Sequence, residues 1–594
     1  MREATGPNIE PLPVTAHLLQ PVIERAARNS DRAVASYRDG ERFVDVTAGE
    51  FYARIRRLAK GFIASGVLDG DRVALMSHTR LEWLLVDYAI LAVGGVTVPV
   101  YETSSAEQLE WILRDSEAVA VVVETPQMAE MYTGTVDEAP ARPVFVIDEG
   151  GLDELVRRGD GIDDALLDRR IAGLGADRLA TIVYTSGTTG RPKGCAITHG
   201  NLRTNVGQNL DAVRSMLQAD EVSLVFLPLA HTLQKIIALV GSEAGIKLAF
   251  ATDIAHLQEE LTLVRPTMLV AVPRVFEKVF NGAQHLAHTE GHGAVFEKSV
   301  EVAIRWSEVS EQGGHHPITA LEHAAFEPLV YRKLRAAFGG RMRFAVSGGG
   351  PLGERLTHFF NGVGVKIFEG YGLTETSPTL TVNRADAWRA GTVGTPLAST
   401  SIRIADDGEV MAKGPQVFQG YWNNETATAE TFDGEGWLLT GDIGTLDDDG
   451  FLRITGRKKE LIVTSSGKNV APAPLEDRLR AHPLIGEAVV VGDGRPFVAA
   501  LIALDPDAVN LWADQHGVGD LSTSELAENS DLRAAIQAAI DVANRSVSRA
   551  ESIREFALLP GSLTIIAGEL TPTLKVRRAV VEKHYSDVIE EMYA

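Results

Sequence analysis

Apolar residues recur along this chain with two periods. After Thr47, the residues Phe51, Ile55, Leu58 and Phe62 fall three to four positions apart. That spacing predicts a helix with one buried face, and Thr47 can cap its start. Residues 72–76, 96–100 and 119–123 are short, nearly continuous apolar runs, which predict strands buried on both faces. A helix is expected over 80–93, between the first two. The stretch 84–101 is the most apolar of the long ones, but Asp87 and Gly94-Gly95 interrupt it. It therefore predicts a buried helix feeding a buried strand, not a membrane span. Strand and helix patterns alternate in this way for most of the length, with no internal repeat, which argues for α/β layers with largely parallel sheets.

Past about residue 390 the rhythm changes. Short strand patterns at 401–405 and 409–413 are separated by Asp406-Asp407-Gly408, and Asp447-Asp448-Asp449-Gly450 precedes another at 451–454. These turn signals predict a small antiparallel unit ending near Gly456. From 459 a compact piece reads as strand, helix (474–481), two strands (487–491 and 497–503) and further helices. The expected division is an N-terminal domain over 1–458 and a C-terminal domain over 459–594.

Composition narrows the function. Of 594 residues, 23% are charged and 45% hydrophobic, the profile of a globular protein. Lys and Arg number 57 against 80 Asp and Glu, a net charge of −23. Such a balance argues against duplex nucleic-acid binding and against broad adhesion to acidic lipid, though a local basic patch is compatible with it. The single cysteine, Cys195, excludes an internal disulfide and the Cys-rich metal classes, and it suits a reducing, cytoplasmic setting. The first thirty residues lack the basic-then-apolar pattern of a signal peptide. His288 and His292 have the i, i+4 spacing of helical metal ligands, but no cysteine or third ligand accompanies them, so a solvated helical surface is expected there.

Four motifs carry candidate chemistry. YTSGTTGRPKG (184–194) follows a strand pattern; its glycines and hydroxyls suit a backbone cradle for an anion, and Lys193 adds a point charge. The glycine-to-lysine spacing is not that of a Walker A loop. By itself, the segment is equally a Gly-rich surface turn. In FEGYGLTET (368–376), Glu375 suits a hard cation such as Mg²⁺, and the glycines allow close backbone approach. GWLLTGD (436–442) ends in Asp442, suited to a ribose diol, with Arg457 fifteen residues on. LTPTLKVRR (570–578) sets Lys575 in a turn-rich stretch, where a solvated basic patch is the plain alternative.

Taken together and in this order, YTSGTTGRPKG, YGLTET, GWLLTGD and GRKKELIV (456–463) closely resemble the AMP-forming adenylate synthetases, from about residue 40 to 585. VPRVFEK (272–278) and GKNVAP (467–472) are most similar to the long-chain fatty-acyl-CoA branch. The resemblance implies that the C-terminal α+β domain is mobile. It also implies a reaction in which a fatty acid and ATP give acyl-AMP and pyrophosphate, and coenzyme A then takes the acyl group. Thr185, Ser186, Gly187, Thr188, Thr189, Gly190 and Lys193 would hold the β- and γ-phosphates, with Mg²⁺ on Thr185 and Glu375. Gly370, Tyr371, Gly372 and Thr374 match the wall around adenine and the α-phosphate, and Gly348, Gly349 and Gly350 match a segment lining nucleotide and acyl carboxylate. Asp442 and Arg457 match ribose contacts. Lys575 matches the lysine bridging the two reacting anions, His231 a histidine beside the acyl carboxylate, and Lys459 the hinge. Many relatives carry Asp at the hinge position. Cys195 is expected to be a buried hydrophobe and not a nucleophile.

Three other readings are compatible with parts of this pattern. They are an acyl-AMP ligase serving a separate carrier protein, a binding module without chemistry, and a luciferase-like oxygenase. Every matched position is intact, which disfavours the second. Loose peripheral membrane contact is expected because long acyl chains reside there. Acyl length preference and oligomeric state are not written in the motifs.

Overall fold

The computed structural model describes residues 2–133, 142–185, 191–314, 316–519, 521, 523–571 and 574–594. Two large sheets and a small antiparallel sheet make up its first part. The seven-stranded sheet runs, edge to edge, Gly420–Tyr421, Lys193–Thr198, Leu179–Thr185, Val96–Val100, Arg72–Met76, Ala120–Val123 and Val144–Val146. It is parallel except at the first two strands, where Lys193–Thr198 folds back antiparallel on Leu179–Thr185. The nine-stranded sheet has Phe344–Ser347 and Lys366–Gly372 near its middle, continuing into the antiparallel pair Thr379–Val382 and Thr395–Pro396.

Helix Leu81–Ala92 shows why these layers hold together. Nearly every side chain in it is buried, as a sequence apolar on almost every side requires; only Glu82 and Asp87 interrupt it. Helix Ala48–Ala64 is amphipathic instead and starts in a capping box. Thr47 Oγ1 accepts the Glu50 N–H at 3.3 Å, and the Glu50 carboxylate accepts the Thr47 N–H at 3.0 Å. Phe51, Ile55, Leu58 and Phe62 all point into the core, as their spacing predicts.

A five-stranded antiparallel sheet follows the expected turns, with Ser401–Ile404, Glu409–Lys413, Leu438–Leu446 and Leu452–Arg457 in sequence. Its outer strand is Glu3–Thr5, from the opposite end of the chain. That pairing has no signal in a three-residue polar segment. The last part has its own core. Leu475, Ile485, Val498, Ile502, Leu532, Ile536 and Ile540 pack around a three-stranded sheet, Ile485–Val491, Val498–Leu504 and Ile553–Leu558. Among the described residues, no helix is long and apolar enough to cross a membrane.

Two local expectations can be followed into the fold. His288 is in the last turn of helix Pro273–Thr289, whereas His292 caps the next helix, Gly293–Glu311, after a reversal at Gly291 (φ +76°). The two histidines therefore do not share one helix face, and His288 Nε2 faces Glu297 at 3.2 Å. Cys195 is a buried, free thiol on Lys193–Thr198, and burial holds its pKa well above the ordinary value, which suits a hydrophobe.

Candidate active site

The cleft lies where the two sheets, the antiparallel unit and the C-terminal part converge. Thr185 ends strand Leu179–Thr185 and pairs in register with Lys193. These two residues flank the glycine-rich loop; Ser186, Gly187, Thr188, Thr189 and Gly190 lie outside the described residues. The far limb of the loop is tied down. Trp111, on helix Ala106–Ser116, donates its indole N–H to the Pro192 carbonyl at 2.9 Å, and the Arg191 guanidinium stacks 4.8 Å over the same ring. The Lys193 ammonium sits 5.2 Å over the Tyr421 ring, and the Tyr421 hydroxyl donates to Glu375 Oε1 at 2.7 Å. One aromatic residue thus joins the loop lysine to the candidate cation ligand. Burial, and then the Glu375 charge, push the Tyr421 phenol far above its ordinary pKa, so it remains a donor.

The second wall comes from Lys366–Gly372 and the short turn Thr374–Thr376. A side-chain carbon on Gly372 would stand 1.8 Å from the Pro378 carbonyl oxygen, so only glycine fits. Just before Gly370, the buried Glu369 carboxylate accepts the Leu352 N–H at 3.1 Å and the Thr357 hydroxyl at 2.8 Å, and burial raises its pKa. Tyr371 donates its hydroxyl to Asp442 Oδ2 at 2.7 Å, and Arg457 Nε donates to Asp442 Oδ1 at 2.9 Å. Asp442 and Arg457, each expected at the sugar, lie opposite one another on the paired strands Leu438–Leu446 and Leu452–Arg457 and bond to each other.

Lys575 reaches into this cleft from the C-terminal part. A side-chain carbon on Gly349 would be 3.6 Å from Lys575 Cε and 3.9 Å from Nζ, an ordinary contact, and its φ of +85° is a conformation that favours glycine. The lysine is open to cleft water yet ringed by protein. That surrounding mass, and then the Arg457 charge, push its ammonium down to about 8, against the opposing pull of Asp442 and Glu460. His231 lies within electrostatic range of Lys575. Burial, and then that charge, take its imidazole down to about 3, so it is neutral. Its Nδ1 accepts the Leu233 N–H at 3.1 Å, capping helix Thr232–Ala244. The acceptor role leaves the ring proton on Nε2. Leu233 touches the position of a Gly348 side chain at 3.5 Å.

Lys459 is the expected hinge. It is exposed, in the short turn Lys458–Glu460 that follows Leu452–Arg457. Its neighbour Lys458 is fastened to Asp407 at 2.6 Å and Glu409 at 2.8 Å.

A family model described as "AMP-binding enzyme" matches residues 22–422, and a second, "AMP-binding enzyme C-terminal domain", matches 459–594. The chain belongs to the AMP-binding enzyme family. Among relatives of this family, it is 50% identical to the long-chain-fatty-acid–CoA ligase FadD15 of Mycobacterium bovis, over 93% of this chain and 92% of that one. It is 30% identical to the human long-chain-fatty-acid–CoA ligase ACSBG1, over 100% and 87% respectively. The fold is that of solved family structures. The adenylation domain of a carboxylate reductase from Mycobacterium chelonae superposes with a TM-score of 0.75 at 22% identity, covering 97% of this chain and 91% of that one. ATP-bound MatB from Rhodopseudomonas palustris gives 0.69 at 24%, covering 96% and 99%.

Sequence reasoning missed Tyr421, Trp111 and Glu369. Tyr421 comes from a two-residue strand far along the chain, and only its register opposite Cys195 brings it to the loop. A lone aromatic after a glycine carries no such message in one dimension.

Proposed function

We propose that this chain is an ATP-dependent long-chain fatty-acid–CoA ligase working in two steps. In the first, a carboxylate oxygen of the fatty acid bonds to the α-phosphorus of ATP, and the bond to pyrophosphate breaks. In the second, the coenzyme A thiol attacks the acyl carbon and AMP leaves. The observation that carries this reading is the Lys575 ammonium beside Gly349, within electrostatic range of Asp442, Arg457 and His231. A carboxylate is already a nucleophile at neutral pH, so the first step asks for two anions to be brought together and for the growing charge to be met by fixed cations. Lys575 does that between acyl carboxylate and α-phosphate. Neutral His231 offers an Nε2–H to the acyl carboxylate without adding a proton-transfer step. Asp442 takes the ribose hydroxyls, with Arg457 beside it.

The residues fit magnesium. Thr185 and Glu375 supply hard oxygen donors, and the Glu375 Oε2 atom has no hydrogen-bond partner among the described residues. Bound there, the ion would neutralise phosphate charge. Lys193 and the adjoining loop serve the same end of ATP. That the relatives FadD15 and ACSBG1 are CoA ligases supports coenzyme A over a carrier protein as acceptor. A single buried cysteine suits a cytoplasmic protein, and its substrate draws it to a membrane surface. The test is coenzyme-A-dependent AMP release across acids from short to very long. Acyl-CoA formation peaking with long chains is expected. Acyl-AMP that stalls with coenzyme A present would overturn the assignment.

A further inference from the structure

Helix Pro317–Phe326 continues through the wider turn Glu327–Tyr331 into Arg332–Ala337. Its inner side is well packed. Tyr331 and Leu334 are buried, and His323 stacks against both Trp306 and Tyr331 while its Nε2 donates to the Gly362 carbonyl at 2.6 Å. Its outer side is apolar where a soluble helix is ordinarily polar. Ile318 is 66% exposed, Leu321 75% and Leu329 56%, and Ala324, Ala325 and Pro328 are exposed between them. At helical spacing these six share one stripe. Scattered exposed leucines need no explanation; here the exposed apolar residues run together along one face of the helix.

The charges around the stripe are sorted. The helix's two acids are both paired, Glu322 with Arg305 at 3.7 Å and Glu327 with Arg335. Its last two bases before the core resumes, Arg332 and Lys333, are exposed, and neither makes a direct ion pair among the described residues, although Arg332 lies within electrostatic range of Glu327. On a chain of net charge −23, this is a face that an anionic surface does not repel. A second copy fits it poorly. The apolar length, about 20 Å by 10 Å, offers roughly 200 Å², against about 800 Å² per partner in a standard interface. Behind the helix, the apolar cluster that takes in Phe326 and Val330 also takes in Leu233, which reaches the Gly348 segment of the cleft.

We propose that this helix seats the protein on an anionic phospholipid surface. The stripe enters the boundary between headgroups and acyl chains, and Arg332 and Lys333 meet lipid phosphates. The proposal rests on the reading above in that a long-chain acid is the reason to visit such a surface. The experiment is flotation of the full chain with vesicles of phosphatidylcholine alone or mixed with phosphatidylglycerol. The wild type is expected to float with the anionic vesicles. The triple variant Ile318→Glu, Leu321→Glu, Leu329→Glu is expected to lose roughly tenfold in bound fraction. Arg332→Glu with Lys333→Glu is expected to reduce binding to the anionic vesicles alone. Both variants should keep the wild-type melting midpoint and the wild-type rate on octanoate, a water-soluble acid. A wild type that stays unbound, or a triple variant that floats as well as the wild type, overturns the proposal. So does a wild-type dimer that the triple variant converts to monomer without any vesicle binding. Acyl-CoA formation from a long-chain acid in detergent reports on the enzyme reading separately.

Discussion

Lys575 and Tyr421 carry the sharpest consequences at the scale of single residues. Lys575→Ala is expected to slow pyrophosphate exchange by about two orders of magnitude or more, the usual cost of one preorganised charge. The lysine is charged below its pKa, so kcat/KM for adenylation should fall as pH rises through about 8. Lys575→Arg keeps its charge over that range and should lose the limb. His231, already neutral, should contribute no limb near its ordinary value. Tyr421→Phe retains the ring under Lys193 and removes only the hydroxyl on Glu375. It should raise the Mg²⁺ concentration needed for ATP binding roughly tenfold, read by calorimetry, with binding of metal-free ATP unchanged. Lys575 could be read in the sequence only because the other motifs preceded it; a lysine in a turn says nothing alone. Tyr421 could not be read at all, since its partners lie at 193 and 375.

Secondary-structure elements were legible where burial imposed a period. Leu81–Ala92 and its neighbouring strands follow from their apolar runs, and the antiparallel unit from its Asp-Gly turns. What the period cannot give is which elements touch. Helix Thr232–Ala244, which carries His231 at its cap, is pinned by Lys235, whose ammonium donates to Asp87 Oδ1 of Leu81–Ala92 at 2.8 Å. Both side chains are almost fully buried, and Asp87 Oδ2 has no partner among the described residues. Asp87, which in sequence only broke an apolar run, is thus half of an internal ion pair. Removing one partner strands the other charge. Asp87→Asn should lower stability by about 3 kcal/mol or more, seen as an earlier urea transition. Asp87→Leu with Lys235→Met should recover most of that loss.

At the scale of the whole molecule, direct polar contacts between the two parts are few among the described residues. Arg274 approaches Asp505 at 3.9 Å, and Arg355 donates to the Ala481 carbonyl at 3.3 Å. Such a seam suits a small domain that turns. We expect Lys459→Pro, which fixes φ at the proposed hinge, to leave pyrophosphate exchange near wild type while the thioester step fails. Equal loss in both half-reactions would remove Lys459 from that role. The fastening of Lys458 to Asp407 and Glu409 decides what such a swing leaves behind. A swing starting at 459 would carry Lys575 away and spare the strand ending at Arg457, which is bonded to Asp442. The adenylate's sugar would then be gripped without interruption while the tools at its acyl end are exchanged, so the activated intermediate changes reaction partners without ever being set down.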